Sequence, residues 1–194
     1  PRLVQIAWME CDVRFRVRRA ERYIVSPEGF EIASSAARVH GITTEYAREH
    51  GVPLRYVLER FAARLERAGL MVAHNVDFDE KVVTAESIRA GVSCRFDGVP
   101  SFCSMKGTTQ VCRLPPLRYG LYRWPTLEEL HRTVLDEPHQ TAHDALRDVE
   151  AVVRCLRSLV DDGVLKIRKA RRASRGPDTA GRRVAYRVKV TSRL

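Results

Sequence analysis

The chain has 194 residues, 44% of them apolar, and a formal net charge of +10; it is long enough for one domain with a proper core and an appendage. No stretch approaches the roughly 20 apolar residues of a membrane span, and no charged-then-apolar leader resembles a signal peptide. Five cysteines, odd in number and without a CxxC pair, argue against a structural zinc site or a disulfide framework, so the expectation is a soluble cytoplasmic protein with reduced thiols and no membrane association.

Leu3 to Met9 reads as an apolar strand, too apolar to be a water-facing leading edge. A domain rarely begins so deep in its own core, which leads to the expectation that a segment precedes Pro1. A second strand over Arg22 to Val25 is entered through Val13, Phe15 and Val17 in alternation with Arg14, Arg16 and Arg18. Ser26-Pro27-Glu28-Gly29 turns the chain. After Val39-His40-Gly41-Ile42, a threonine caps a short helix reaching about Glu49. Pro53 starts a helix with Leu54, Val57, Leu58, Phe61 and Leu65 on one face, ended by Gly69.

Leu70 to Asn75 is a buried strand that ends abruptly in polar residues, and Asp79 opens the following helix, which stops near Gly91. Val99 to Met105 reads as a further strand and residues 107 to 125 as loop. Within that loop aromatic and basic residues alternate (Arg118, Tyr119, Tyr122, Arg123, Trp124), Trp124 reading as core at a helix start. Leu127, Leu130 and Val134 mark a short helix; Leu146, Val149, Val152, Val153, Leu156 and Val160 mark the last. Strands early with helices between and after make the chain α/β with a mixed sheet. Residues 1–160 form the domain, and residues 161–194 a basic tail, partly disordered. From Lys166 onward eleven Lys or Arg face a single acid, Asp178, so the whole positive excess sits in the last 29 residues and the body is neutral. Lys166 to Arg183 is too poor in apolar residues to order alone, whereas Val184, Tyr186, Val188 and Val190 alternate with polar neighbours as in a short edge strand.

Asp79 and Asp148 each stand at the end of a buried segment, and His143 precedes Asp148 by five residues, about 7.5 Å of helical rise. Phosphodiester cleavage needs an activated water, charge stabilisation on the phosphorus oxygens and help for the leaving oxygen. Two divalent metals about 3.5–4 Å apart, held by carboxylates, supply all three, and a histidine of near-neutral pKa can accept the proton. Each residue also has an ordinary explanation: Asp79 as a helix cap, His143 as a surface histidine, Asp148 as a solvated helix residue, His74 and Asn75 as loop hydrogen-bonders. Asp77 is expected to be exposed.

Val-Ala-His followed by Asn75-x-x-Phe78-Asp79, and then His143-x-Ala145-x-x-Asp148, resemble the second and third motifs of the DEDDh (DnaQ-like) 3′-to-5′ exonucleases. The similarity extends from Pro1 to about Leu159 and takes in the opening Pro-Arg-Leu-Val-Gln-Ile-Ala-Trp, the Val39-His40-Gly41-Ile42-Thr43 stretch and Trp124-Pro125-x-Leu127. It implies a ribonuclease H-like fold, Mg²⁺ or Mn²⁺ in a two-metal site with Asp79 and Asp148 as ligands, and His143 as general base. It also implies that His40, Gly41, Ile42 and Asn75 face the substrate, Ile42 packing on the terminal base or sugar. Partners would be single-stranded DNA or RNA 3′ ends, with a polymerase or other replication or repair protein as a further candidate. The family's first motif, Asp-x-Glu on the central strand, has no counterpart here; Glu10-Cys11-Asp12 has the reverse order and the wrong place. The expectations are therefore a sheet lacking its first central strand and impaired activity for this chain. The alternatives are a catalytically inert nucleic-acid-binding module on the same scaffold, or a protein-interaction domain with a charged linker.

Overall fold

A computed structural model describes residues 2–116, 121–139, 144–169 and 186–190. Strands β1 (Gln5–Cys11) and β2 (Val17–Ile24) form an antiparallel hairpin, and β3 (Met71–Ala73) pairs with β4 (Ser101–Cys103) in parallel. Helices α1 (Ser34–His40), α2 (Thr44–His50) and α3 (Leu54–Leu65) separate these strand pairs, and α4 (Val76–Ala90) connects β3 to β4. Short helices α5 (Ser104–Gly107) and α6 (Thr109–Cys112) follow, then α7 (Leu127–Leu135), α8 (Ala145–Asp161), and the strands β5 (Leu165–Lys169) and β6 (Tyr186–Val190). Among the described residues no ladder joins β1–β2 to β3–β4, the arrangement expected of a mixed sheet without its central strand. No described helix is long and apolar enough to cross a membrane.

The pleat of β1 divides the core. Ile6 and Trp8 point one way, packing with Val25, just past β2, and with Leu54, Val57, Leu58 and Val83 from α3 and α4. Beyond the strand, Phe15 at the tip of the β1–β2 turn is 6% exposed and seats against Val152, Leu156, Leu159 and Leu165. Phe15 has φ +56°, an unusual region for an aromatic residue; the turn is held by the Asp12 carboxylate accepting from the Arg14 and Arg16 N–H groups. Exposed arginines line β2, as suits an edge strand that must resist pairing with other chains.

Two polar anchors set the helices that follow. Glu86 of α4, 1% exposed, accepts hydrogen bonds from Arg2 Nε (2.9 Å) and the Leu3 N–H (3.0 Å) and pairs with Arg89. This ties α4 to the residues just before β1. At α8 the N-cap is Asp144, whose Oδ1 accepts from the Leu146 and Arg147 N–H groups. Gln5 of β1 grips the same helix end, its Oε1 accepting from the Ala145 N–H at 3.0 Å, while Arg22 of β2 pairs with Asp144 Oδ2 at 3.1 Å.

Several boundaries differ from the sequence expectation. The second strand begins at Val17, not Arg22, because its exposed arginine-rich half is held by backbone pairing to β1 and not by burial. An unanticipated helix, α1, precedes Gly41, whose φ of +74° ends it in the left-handed conformation. Thr43 caps α2, accepting from the Tyr46 N–H as expected. Strand β4 is shorter than residues 99 to 105, and part of the expected loop after residue 107 is α6. Lys166 to Lys169, expected in the unstructured part of the tail, pair as strand β5 with β6. Leu165, 1% exposed, joins the core beneath α8, so burial rather than composition decides this stretch. Residues 170–185 of the tail lie outside the described residues.

Leu156 of α8 is fully buried in the cluster it forms with Phe15 and Leu165. Leu156→Ala should cost about 2–5 kcal/mol of stability, read as a lower urea midpoint with an unchanged slope.

Candidate functional site

The turn between β3 and α4 places the first carboxylate. Asn75 adopts φ +79°, a left-handed conformation that asparagine tolerates, and the helix starts immediately after it at Val76. Asp79 is therefore not the opening residue: it is the fourth residue of α4, with Asp77 also in the first turn. Burial pushes the Asp79 carboxyl up to about 6, against the lowering effect of its own backbone N–H. Asp77 is exposed and pairs with Lys106, whose ammonium sits 5.5 Å from the centre of the Trp124 ring.

His74, the residue before Asn75, is held on both ring nitrogens. Nε2 donates to the Pro125 carbonyl at 3.1 Å, and Nδ1 lies 3.0 Å from the hydroxyl of Ser104, a fully buried residue. Burial lowers the basicity of His74, opposed by the Pro125 carbonyl and by the negative charge of Asp148. The neutral ring with its proton on Nε2, accepting from Ser104 at Nδ1, satisfies both contacts. This histidine stitches the end of β3 to α5 and to the segment entering α7.

The second carboxylate, Asp148, is also the fourth residue of its helix, one turn beyond the Asp144 cap. Its Oδ1 accepts from His139 Nε2 at 2.7 Å, and the His139 side chain is 7% exposed. His139 stands in the connection between α7 and α8, which is latched at its start. His131 Nδ1 donates to the Glu137 carbonyl at 2.9 Å, Arg154 donates to His131 Nε2 at 3.4 Å, and Arg154 also pairs with Glu137 at 2.7 Å. Sequence reading singled out neither His139 nor His131; both fall outside the motif spacing, and only the fold brings His139 onto Asp148. His143 lies outside the described residues.

At the end of α1, the Ile42 N–H donates to His40 Nδ1 at 3.1 Å across Gly41. Ile42 is 6% exposed and packs with Ile32 and Ala47. Trp124, expected in the core, is instead 57% exposed, and Phe78 is 54% exposed. Trp124 is left outside because it precedes the α7 cap, Thr126, and the segment is fastened by Pro125, fully buried, and by the Arg123–Glu129 pair.

The structure thus brings Asp148 together with His139 by hydrogen bond and with His74 by charge. Among the described residues no hydrogen bond or ion pair joins Asp79 to Asp148. Two carboxylates are right in kind for Mg²⁺ or Mn²⁺, which prefer hard oxygen donors. They fall short in number: among the described residues no group of three or more His, Cys, Asp or Glu could hold one ion.

The α/β architecture, with small sheets flanked by helices and a carboxylate in the first turn of α4 and of α8, is that of a ribonuclease H-like fold. Residues 1–156 match the family model described as Exonuclease (RNase_T), and the chain belongs to this exonuclease family, within the DEDDh (DnaQ-like) superfamily. Among solved structures it resembles the zinc-ion-bound form of an E. coli exonuclease I complex with single-stranded DNA, at 21% identity and a TM-score of 0.67, over 81% of this chain and 36% of that one. E. coli exonuclease I with a dA16 oligonucleotide is similar at 19% identity and TM-score 0.66, again over 81% of this chain and 36% of that one. A moderately thermophilic exonuclease I from Methylocaldum szegediense is similar at 20% identity and TM-score 0.66, over 82% and 37%. The chain spans little more than a third of the length of these proteins. No curated protein matches it significantly.

Because the folded Asp79 carboxyl titrates near 6 instead of near 3.8, the folded state holds this proton more tightly than the unfolded chain. Its contribution therefore costs stability above pH 6, fades as pH falls from 6 to about 4, and is absent below. Asp79→Asn should melt higher than the parent at pH 8 in a chelator, by on the order of 2 kcal/mol, with the gain vanishing near pH 4.

Proposed function

We propose that this chain is the nuclease domain of a 3′-to-5′ exonuclease that shortens single-stranded nucleic acid, with DNA 3′ ends as the favoured substrate. The observation that supports this most directly is Asp148, fixed in the first turn of α8 by a buried histidine and acting on His74, in a chain whose residues 1–156 match the exonuclease family. Asp79 and Asp148 are the carboxylates that would hold Mg²⁺ or Mn²⁺, and a metal pair would supply water activation and neutralisation of phosphoryl charge. His143 accepts the proton of the attacking water. His139 orients the Asp148 carboxylate, and His74, neutral and doubly tethered, holds the end of β3 in place. The His40-Gly41-Ile42 segment and Asn75 face the terminal nucleotide. Exposed Trp124, with Lys106 over its ring, offers a stacking surface for a base.

With two carboxylates where the family's motifs hold four, the 194-residue chain hydrolyses slowly, because charge on the phosphoryl oxygens is under-compensated. That same shortage favours a second reading, an inert nucleic-acid-binding module on the exonuclease scaffold, since the described residues hold no cluster of three or more potential ligands. A replication or repair protein such as a polymerase is the partner class that fits either reading, and a soluble cytoplasmic setting suits both.

A 5′-labelled single-stranded DNA oligonucleotide in Mg²⁺ or Mn²⁺ separates them. The exonuclease reading expects a stepwise ladder, slowed about 100-fold or more in His143→Ala and lost in Asp148→Asn. Binding without any shortening, from a folded sample, supports the inert module. Trp124→Ala should weaken oligonucleotide binding about 10-fold, the equivalent of one stacked base, with melting temperature unchanged.

A further inference from the structure

The β5–β6 hairpin carries a charge arrangement that the candidate site does not use. In its antiparallel register Lys166 stands opposite Lys189 and Arg168 opposite Arg187. Residues directly opposite in such a ladder share a face, so four cationic positions occupy one face of a two-stranded ribbon. The alternate positions, Leu165 opposite Val190 and Ile167 opposite Val188, share the other face, where Leu165 and Ile167 pack beneath α8. Like charges directly opposite destabilise a ladder, and a protein that needed the ribbon only as a lid on its core would gain by alternating the signs.

The surroundings deepen the imbalance. Lys166 and Arg168 are exposed and line an open groove of about 400 Å³ together with Arg14 on the β1–β2 turn and the apolar side chains of Val13 and Val160. Among the described residues no carboxylate pairs with Arg14, Lys166 or Arg168, although arginines elsewhere on β2 are matched by Asp12, Glu10, Glu21 and Asp144. In the sequence between the two strands stand Arg171, Arg172, Arg175, Arg182 and Arg183 against one acid, Asp178.

We propose that the cationic face of the β5–β6 hairpin, with Arg14, is a phosphate-backbone docking surface for single-stranded nucleic acid, separate from the carboxylate site. It rests on the nuclease reading for its biological sense, though not for its physics. Backbone phosphates take the place of the missing carboxylates beside Arg14, Lys166 and Arg168, and bound counterions are released as they do so. The groove contacts the strand without reading its sequence, since it offers charge and apolar walls but no array of base-reading donors. Such a surface holds the strand while the nucleotide at the end is exchanged.

The test is binding of a 5′-fluorescein-labelled oligothymidylate of about 20 nucleotides, followed by anisotropy in chelator across about 50 to 200 mM KCl. Lys166→Gln with Arg168→Gln should weaken binding about 10-fold at the low end and flatten the plot of log affinity against log salt by about 1.4, two phosphate contacts at 0.7 each on a single strand. Its melting temperature should hold, because Lys166 and Arg168 are exposed and without a carboxylate partner among the described residues. Arg14→Gln, on a different element, should flatten the slope by a further 0.7 or so, which keeps the test decisive if the double variant does not fold. Unchanged slopes in both overturn the proposal, as does preferential binding of poly-glutamate over the oligonucleotide. Asp148→Asn separates this from the nuclease reading: it should remove strand shortening and leave the salt slope intact. Salt-dependent binding lost in the hairpin variants, without any shortening by the parent, would retain the docking surface and refute the nuclease. Shortening with unaltered slopes would do the reverse.

Discussion

Everything the candidate site can do depends on how β1 holds the two helices that carry its carboxylates. Gln5 at the start of the strand caps the first N–H of α8, and Arg22 on the neighbouring strand pins the Asp144 side chain that caps the next two. Just before the strand, Leu3 and Arg2 engage the buried Glu86 of α4. The contacts to Glu86 are hydrogen bonds to a charged, buried group, each worth about 1.5–3 kcal/mol, whereas the neutral Gln5 contact and the exposed Arg22–Asp144 pair are worth about 1 kcal/mol or less. They fix helix rotation more sharply than the non-directional packing of Leu156 or Val83 can. Asp79 and Asp148 inherit their positions from these anchors, both at the fourth residue of a helix whose start is determined elsewhere.

The two carboxylates are nevertheless in different electrostatic situations. Asp148 has a neighbour that satisfies it, the His139 Nε2–H, and its negative charge reaches His74. Asp79 is desolvated with little to compensate it, and its carboxyl is pushed toward neutrality. Desolvated carboxylates without partners are costly in a structural role and useful as receivers of a cation. Trp124 and Phe78 are exposed as well, 57% and 54%, and Trp124 carries the Lys106 ammonium over its ring.

The division of the sheet into β1–β2 and β3–β4 has a mechanical consequence. With no ladder between them among the described residues, the halves are coupled through side chains: α8 packs against β1 and β5, and His74 links β3 to the α7 entrance. A sheet transmits position through a continuous hydrogen-bond ladder, whereas helices and single side chains leave more freedom.

Much was legible in the amino-acid order. Alternation and helical periodicity determined the strands at Leu3–Met9 and Leu70–Asn75 and the helices from Pro53 and Leu146, because these patterns reflect which faces must leave water. The motif spacings around Asp79 and Asp148, through resemblance, determined the family. What the tertiary structure decided were contacts between residues far apart in sequence or silent in pattern: His139 on Asp148, Gln5 on the α8 cap, Trp124 turned outward, and Leu165 drawn into the core so that a basic tail became a strand. Local patterns encode burial, which is a property of one segment. A hydrogen bond such as His139 to Asp148, or the facing of Lys166 with Lys189, exists only when two segments meet, and the chain's own periodicity carries no record of that meeting.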